Sequence, residues 1–225
     1  MKKISIVTWI GNGNFGTALQ SYALQYKLKK IGYDTNILQY FDFSFNLRSS
    51  IKSILSFLGI SKVLKRKVIS TYSDNFFYFI KHNYYIRNIY TKRQYKSLLN
   101  DTDVFLAGSD QIWNAWHSFN SFYFLEFAKK AKKISYASSI GTSDFPQQHK
   151  KQIKRLLQDF KFIGVRELNA VNAVNSLLEK DIAIQVLDPT FLLTREEWVK
   201  FSSKAQLEIN LPKSFVLCYF IGDNS

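Results

Sequence analysis

Ile4-Ser5-Ile6-Val7-Thr8-Trp9, followed at once by Gly11-Asn12-Gly13-Asn14-Phe15-Gly16, is the stretch that decides the fold. A near-continuous apolar run closed by a Gly/Asn cluster fits a strand covered on both faces, as in a parallel sheet. From Phe15 to Ile31 the spacing turns helical: Ala18, Leu19, Tyr22, Ala23, Tyr26, Leu28 and Ile31 recur on one side. Lys27, Lys29 and Lys30 crowd the last turns and Gly32 stops the helix. Tyr33–Tyr40 reads as a second strand. The whole is one strand–loop–helix–strand unit, long enough for a crossover between parallel strands.

The pattern repeats downstream. Short apolar runs at Thr102–Ala107, Lys133–Ala137, Phe162–Val165 and Ile182–Leu187 alternate with helical stretches at Pro146–Phe160, opened by Asp144, and from Glu167 to about Lys180. Thr194 and Glu197 have the capping-box spacing at the start of a further helix. Ser214–Ile221 reads as a last strand, with Cys218 in its core. Strands alternating with helices predict an α/β fold: a Rossmann-like, mainly parallel sheet with flanking helices. The expected division is a domain over residues 1–210 and a linker with the first strand of a further domain over 211–225.

Composition narrows the classes. Of the 225 residues, 46% are apolar and 21% charged, which excludes wholesale disorder. The single cysteine excludes a disulfide framework and suits a reducing compartment, so the expected location is cytoplasmic. No run of about 18 uncharged apolar residues offers a membrane span. The amino terminus lacks a cleavage site after its short apolar stretch. The net charge is +14, and it is concentrated. Between Leu47 and Asn100 there are eleven Lys/Arg against one acid, Asp74, with aromatics interleaved. That predicts a basic helical insertion at about 47–100, either a solvated face or an anion-binding surface touching the inner membrane face. No zinc-finger, RNP or homeodomain pattern supports nucleic acid, and none is expected as a partner.

Ligands of open α/β sheets bind beyond the carboxyl ends of the strands, and the polar clusters all fall there. Asn12, Asn14, Gly16 and Gln20 follow the first strand; Gly11-x-Gly13-x-x-Gly16 has dinucleotide-fingerprint spacing, though glycines also serve turn geometry alone. Ser109, Asp110, Gln111 and Asn114 follow Ala107-Gly108. Asp110 is either a general base or the side chain of a capped turn. Ser139 and Gly141 follow Tyr136-Ala137-Ser138. Arg166 and Glu167 end another strand, with Asp188 nearby by topology, and the Arg166 guanidinium either binds a carboxylate or phosphate or pairs with its acidic neighbours. His82, His117 and His149 show no mutual ligand spacing and are expected at the surface; no metal is expected.

Taken in order, these segments resemble the polysaccharide pyruvyl transferase family. The resemblance lies in Asn12–Gly16 with Leu19–Gln25, in Asp103–Asn114, in Tyr136–Gly141, and in Val165-Arg166-Glu167 with Val186–Leu193 and Trp198. It implies a two-domain, glycosyltransferase-B-like enzyme with its active site in the cleft, of which this chain resembles the N-terminal half. It implies transfer of a pyruvyl group from phosphoenolpyruvate to a sugar, as a ketal, in the building of capsule, cell wall or exopolysaccharide. No further cofactor is implied. The acceptor is a glycan or a lipid-linked sugar, and a partner chain would supply the C-terminal domain. On this basis Asp110 and Arg166 are the expected catalytic residues. Substrate binding is expected from Asn12, Asn14, Gly16, Gln20, Ser109, Gln111, Asn114, Ser139, Gly141, Glu167 and Asp188. The alternatives are a nucleotide-sugar glycosyltransferase and a non-catalytic glycan-binding half-enzyme.

Overall fold

The computed structural model describes residues 1–10, 14–43, 72–204, 210, 212–216 and 218. The chain divides into two compact units, Met1–Leu192 and Leu193–Ser225. In the first, seven strands form one sheet: β1 (Lys3–Val7), β2 (Asp34–Leu38), β3 (Ile86–Arg87), β4 (Val104–Ala107), β5 (Lys132–Ser138), β6 (Phe160–Val165) and β7 (Ala183–Gln185). Their order is β3-β2-β1-β4-β5-β6-β7 and every pairing is parallel. This is the Rossmann-like α/β arrangement expected from the alternation.

Helix α1 (Phe15–Lys30) starts where the Gly/Asn cluster ends. Asn14 is its N-cap, taking the Thr17 N–H on Oδ1 at 3.1 Å, and the three lysines fill its last turn. Leu24 and Leu28 press on Ile4, Ile6, Ile37 and Leu106 of one sheet face. The opposite face packs on α4 (Gln147–Leu157) and α5 (Leu168–Leu178) through Ile153, Leu156, Leu157, Ala170 and Val174. A strand sandwiched this way has no solvated face to alternate, which is why β1 reads as a near-continuous apolar run, interrupted only by the small buried Ser5.

The described part of the basic insertion differs from the expected run of helices. Helices α2 (Tyr72–Asn83) and α3 (Lys92–Asp101) flank a two-residue edge strand, β3, laid along β2. Tyr84 anchors this segment, its hydroxyl donating to Ala18 O at 2.6 Å and lying 2.8 Å from Ser21 Oγ. Burial pushes the Tyr84 hydroxyl pKa up, past what its Ser21 hydrogen bond lowers. An edge strand needs only two ladder positions, too few to register as a period. Residues 47–71 of the insertion lie outside the described residues.

Other boundaries move by a few residues. Helix α4 ends at Leu157 and β6 already begins at Phe160, because Phe160 is buried edge-on against Trp113 at 5.7 Å. Pro146, not Asp144, occupies the N-cap of α4; Asp144 instead takes the Phe145 N–H and pairs with Lys150. In the stretch expected as a last strand, Ser214–Val216 and Cys218 lie in no strand, and Cys218 is exposed. The second unit carries α6 (Arg195–Ser202), with the Thr194–Glu197 capping box formed and Trp198 edge-on to Phe201.

Residues 108–131, between β4 and β5, form no regular helix or strand. They hold shape through their own aromatics: Trp113 is fully buried, stacked on Phe124 at 5.4 Å, and its indole N–H donates to Tyr123 O at 3.0 Å. A connection this long is stable only when packed like a core. Trp113→Ala is therefore expected to cost about 3–5 kcal/mol in urea denaturation. A loss under about 1 kcal/mol would mean that the loop is held by something other than this cluster.

Candidate active site

The strands on either side of the β1/β4 boundary lead their chains away in opposite directions, and the crevice between them is where open α/β sheets bind ligands. A cleft of about 360 Å³ opens there, lined by Asn14, Gly16, Thr17, Gln20, Asp110, Arg166, Asp188 and Thr190. Residues from the ends of β1, β4, β6 and β7 thus share one concavity.

The cleft is built around Asp110. Its φ is 76°, a left-handed conformation that Asp tolerates better than most residues. The strained turn is tied down on the main chain, since Ser139 N donates to Asp110 O at 2.9 Å. The carboxylate is held by two donors: Gln111 N at 2.8 Å to Oδ1 and Thr17 Oγ1 at 2.5 Å to Oδ2. A carboxylate offers about four lone-pair sites, so roughly half of its capacity stays open. It also supplies the negative charge that the N-terminus of α1 favours.

Asp188 is saturated. Oδ1 takes Thr190 N at 3.0 Å and Thr190 Oγ1 at 2.8 Å; Oδ2 faces Arg166 Nη1 at 3.3 Å and Ser109 Oγ at 3.4 Å. Arg166 donates from Nε to Glu167 Oε1 at 2.8 Å, while its Nη2 makes no hydrogen bond among the described residues. Burial opposes the guanidinium charge, but Glu167 and Asp188 outweigh it and hold its pKa above the ordinary value. Burial, reinforced by the Asp188 charge, pushes the Tyr136 hydroxyl up.

The structure therefore brings together Asn14, Gly16, Gln20, Asp110, Arg166 and Asp188, with Glu167 behind the guanidinium. Gln111, Asn114 and Gly141 form a separate cluster outside the cleft lining: Asn114 Nδ2 donates to Gln111 Oε1 at 3.0 Å. Ser109 and Ser139 are fully buried; the Ser139 hydroxyl oxygen accepts from Gly141 N at 3.1 Å and works as a fastener of the turn. Asn12 lies outside the described residues. His82 and His117 are exposed as expected, whereas His149 is half-buried and stacked on Phe119 at 4.7 Å. Among the described residues no group of His, Cys, Asp and Glu could hold a metal ion.

Thr17 and Thr190 line the cleft without having been singled out from the sequence. Thr17 carried a signal: Asn14, Thr17 and Gln20 are spaced by three, which puts them on one helical face. Thr190 had only its place two residues after Asp188.

Gly141 has φ +66°, and a Cβ there would come within 2.7 Å of Asn114 Nδ2 and 2.8 Å of Gln111 Oε1. Gly141→Ala is expected to lose about 1–2 kcal/mol from the backbone alone, together with displacement of the Asn114–Gln111 pair, read as shifted side-chain amide resonances in NMR. Unchanged stability and unchanged amide resonances would contradict this packing.

No curated protein and no solved structure matches the chain. A family model described as polysaccharide pyruvyl transferase matches residues 14–222, a range that contains every described residue of the cleft. With nearly its whole length covered, the chain belongs to the polysaccharide pyruvyl transferase family.

Proposed function

We propose that the cleft catalyses transfer of a pyruvyl group from phosphoenolpyruvate to two hydroxyls of a sugar, in the making of a cell-surface polysaccharide. What carries the reading is the pair of charges lining the cleft: the Asp110 carboxylate, which keeps open acceptor capacity, and the Arg166 guanidinium, whose Nη2 makes no hydrogen bond among the described residues. Ketal formation asks for both. The donor brings a carboxylate and a phosphate, for which a guanidinium fork is the matching partner. The acceptor brings hydroxyls that must lose protons, for which a positioned carboxylate is a general base.

In balanced form, a proton adds to the methylene carbon of phosphoenolpyruvate and makes it the methyl group. The positive character at the neighbouring carbon is met by a sugar hydroxyl oxygen. The C–O bond to phosphate breaks, its electron pair leaving with the phosphate, and a second hydroxyl closes the ring. Of the two hydroxyl protons, one balances the proton taken by carbon and the other leaves with phosphate. Asp110 accepts the hydroxyl proton in this scheme, and Thr17 holds its carboxylate in place. Asp188 and Glu167, already bonded, set the angle of Arg166. Asn14 and Gly16 shape the wall beside α1, while Gln111 and Asn114 support the Asp110 turn from outside. The scheme needs no cofactor beyond the donor substrate. The acceptor is a free glycan or a lipid-linked sugar, and basic residues 47–71 would bring the chain to an anionic membrane surface.

Phosphate release from phosphoenolpyruvate, measured with methyl hexopyranosides and lipid-linked glycans as acceptors, tests the reading. Asp110→Asn, which keeps the shape, is expected to slow release by about 10²–10⁴, and Arg166→Lys to raise the phosphoenolpyruvate concentration needed for half-maximal rate. Release unaffected by either change, or turnover of nucleotide sugars in its place, would remove the assignment.

A further inference from the structure

Gln20 is only 3% exposed, yet it is among the residues lining the cleft. Its amide orientation is fixed. Nε2 donates to Thr17 O at 2.8 Å, Trp9 O at 3.1 Å and Thr8 Oγ1 at 3.4 Å. Turning the amide over would set its oxygen against two carbonyls. Oε1 must therefore point the other way, and there it is buried with no hydrogen-bond partner among the described residues. A buried acceptor left unpaired costs about 1–3 kcal/mol, so such a group in a native structure calls for a ligand or a solvent molecule.

The chemistry of that partner is restricted. Gln20 Oε1 takes only a donor. So does the open part of the Asp110 carboxylate, which is fastened to the same residue: the Thr17 carbonyl receives the Gln20 amide, and the Thr17 hydroxyl donates to Asp110. Phosphoenolpyruvate at neutral pH presents acceptors alone and satisfies neither group. A pyranose with neighbouring free hydroxyls satisfies both, since each hydroxyl donates one hydrogen bond and accepts others. The geometry points to Gln20 as a specificity-determining residue whose Oε1 receives one hydroxyl of the acceptor sugar while a neighbouring hydroxyl faces Asp110. This rests on the reading of the cleft as a sugar-acceptor site. It adds the prediction that a single, identifiable hydroxyl is selected by a residue outside the proton-transfer chemistry.

Titration by saturation-transfer NMR decides it. The full chain is titrated with methyl glucoside, galactoside and mannoside, and then with each monodeoxy analogue of those that bind. Among analogues of one bound sugar, one deoxy position is expected to weaken binding by about tenfold or more, the cost of leaving Oε1 unpaired. In Gln20→Met that same analogue and its parent should bind within about twofold of each other, while penalties at other positions persist. Circular dichroism checks that the variant folds; if it does not, Gln20→Asn withdraws the oxygen while keeping an amide. Equal binding of all deoxy analogues, an unchanged penalty in the variants, or no saturation transfer from any hexopyranoside overturns the inference. Hydroxyl selectivity without phosphate release from phosphoenolpyruvate would uphold it and remove the pyruvyl-transfer reading. Phosphate release without selectivity would do the reverse.

Discussion

The strand order turns back on itself between β1 and β4, and the cleft residues owe their meeting to that turn. Chains leaving β1 go towards β2; chains leaving β4 go towards β5. The two strands send their chains to opposite sides, so the sheet's own topology leaves a crevice at their carboxyl ends. Beside the Thr8 hydroxyl, which donates to Ser109 O at 2.7 Å, the gap is closed by a bond from the Thr17 hydroxyl to the Asp110 carboxylate at 2.5 Å. It joins the first turn of α1 to the strained residue after β4.

That bond also explains why the site is polarised. The N-terminus of a helix attracts an anion, and here the protein's own Asp110 takes that place. The Arg166 guanidinium likewise meets Glu167 and Asp188 before any ligand arrives. Among the described residues, what is left for a ligand is the remainder: unused lone pairs at Gln20 and Asp110, and one unused guanidinium nitrogen. A cleft lined by both open acceptors and a cation offers two kinds of contact. Sugar hydroxyls suit the acceptors and anionic groups the cation, the pair of contacts that a ketal-forming transfer needs.

Much of this was legible in the sequence, for physical reasons. Buried parallel strands carry mainly apolar runs, so β1, β4, β5 and β6 stood out, and polar residues at successive strand ends had to converge once the sheet was parallel. Asn14, Gln20, Asp110, Arg166 and Asp188 were legible by that logic. Other features left no such trace. Strand β3 is two residues long and sits inside a helical stretch, too short for any period. Thr17 shared the spacing of Asn14 and Gln20, but a threonine early in a helix usually means only a capping role. Ser109 and Ser139 looked like ligand contacts, but buried hydroxyls at strand ends equally well bond the protein: Ser139 takes Gly141 N of its own turn and Ser109 reaches Asp188. The resemblance put Asp110 among the catalytic residues and Asp188 among the binding ones, without a physical ground for the difference. Only the count of donors around each shows that Asp188 is filled and Asp110 is not.

The central claim is that one cleft, at the carboxyl edge of the sheet, holds the acceptor sugar with its reactive hydroxyl on Asp110. A crystal structure of the chain soaked with a methyl hexopyranoside tests this most directly. The account predicts the pyranose ring between Gln20 and Arg166, one hydroxyl within hydrogen-bond distance of Asp110 and another on Gln20 Oε1. A sugar bound on another face, or seated in the cleft with neither group in contact, would contradict it.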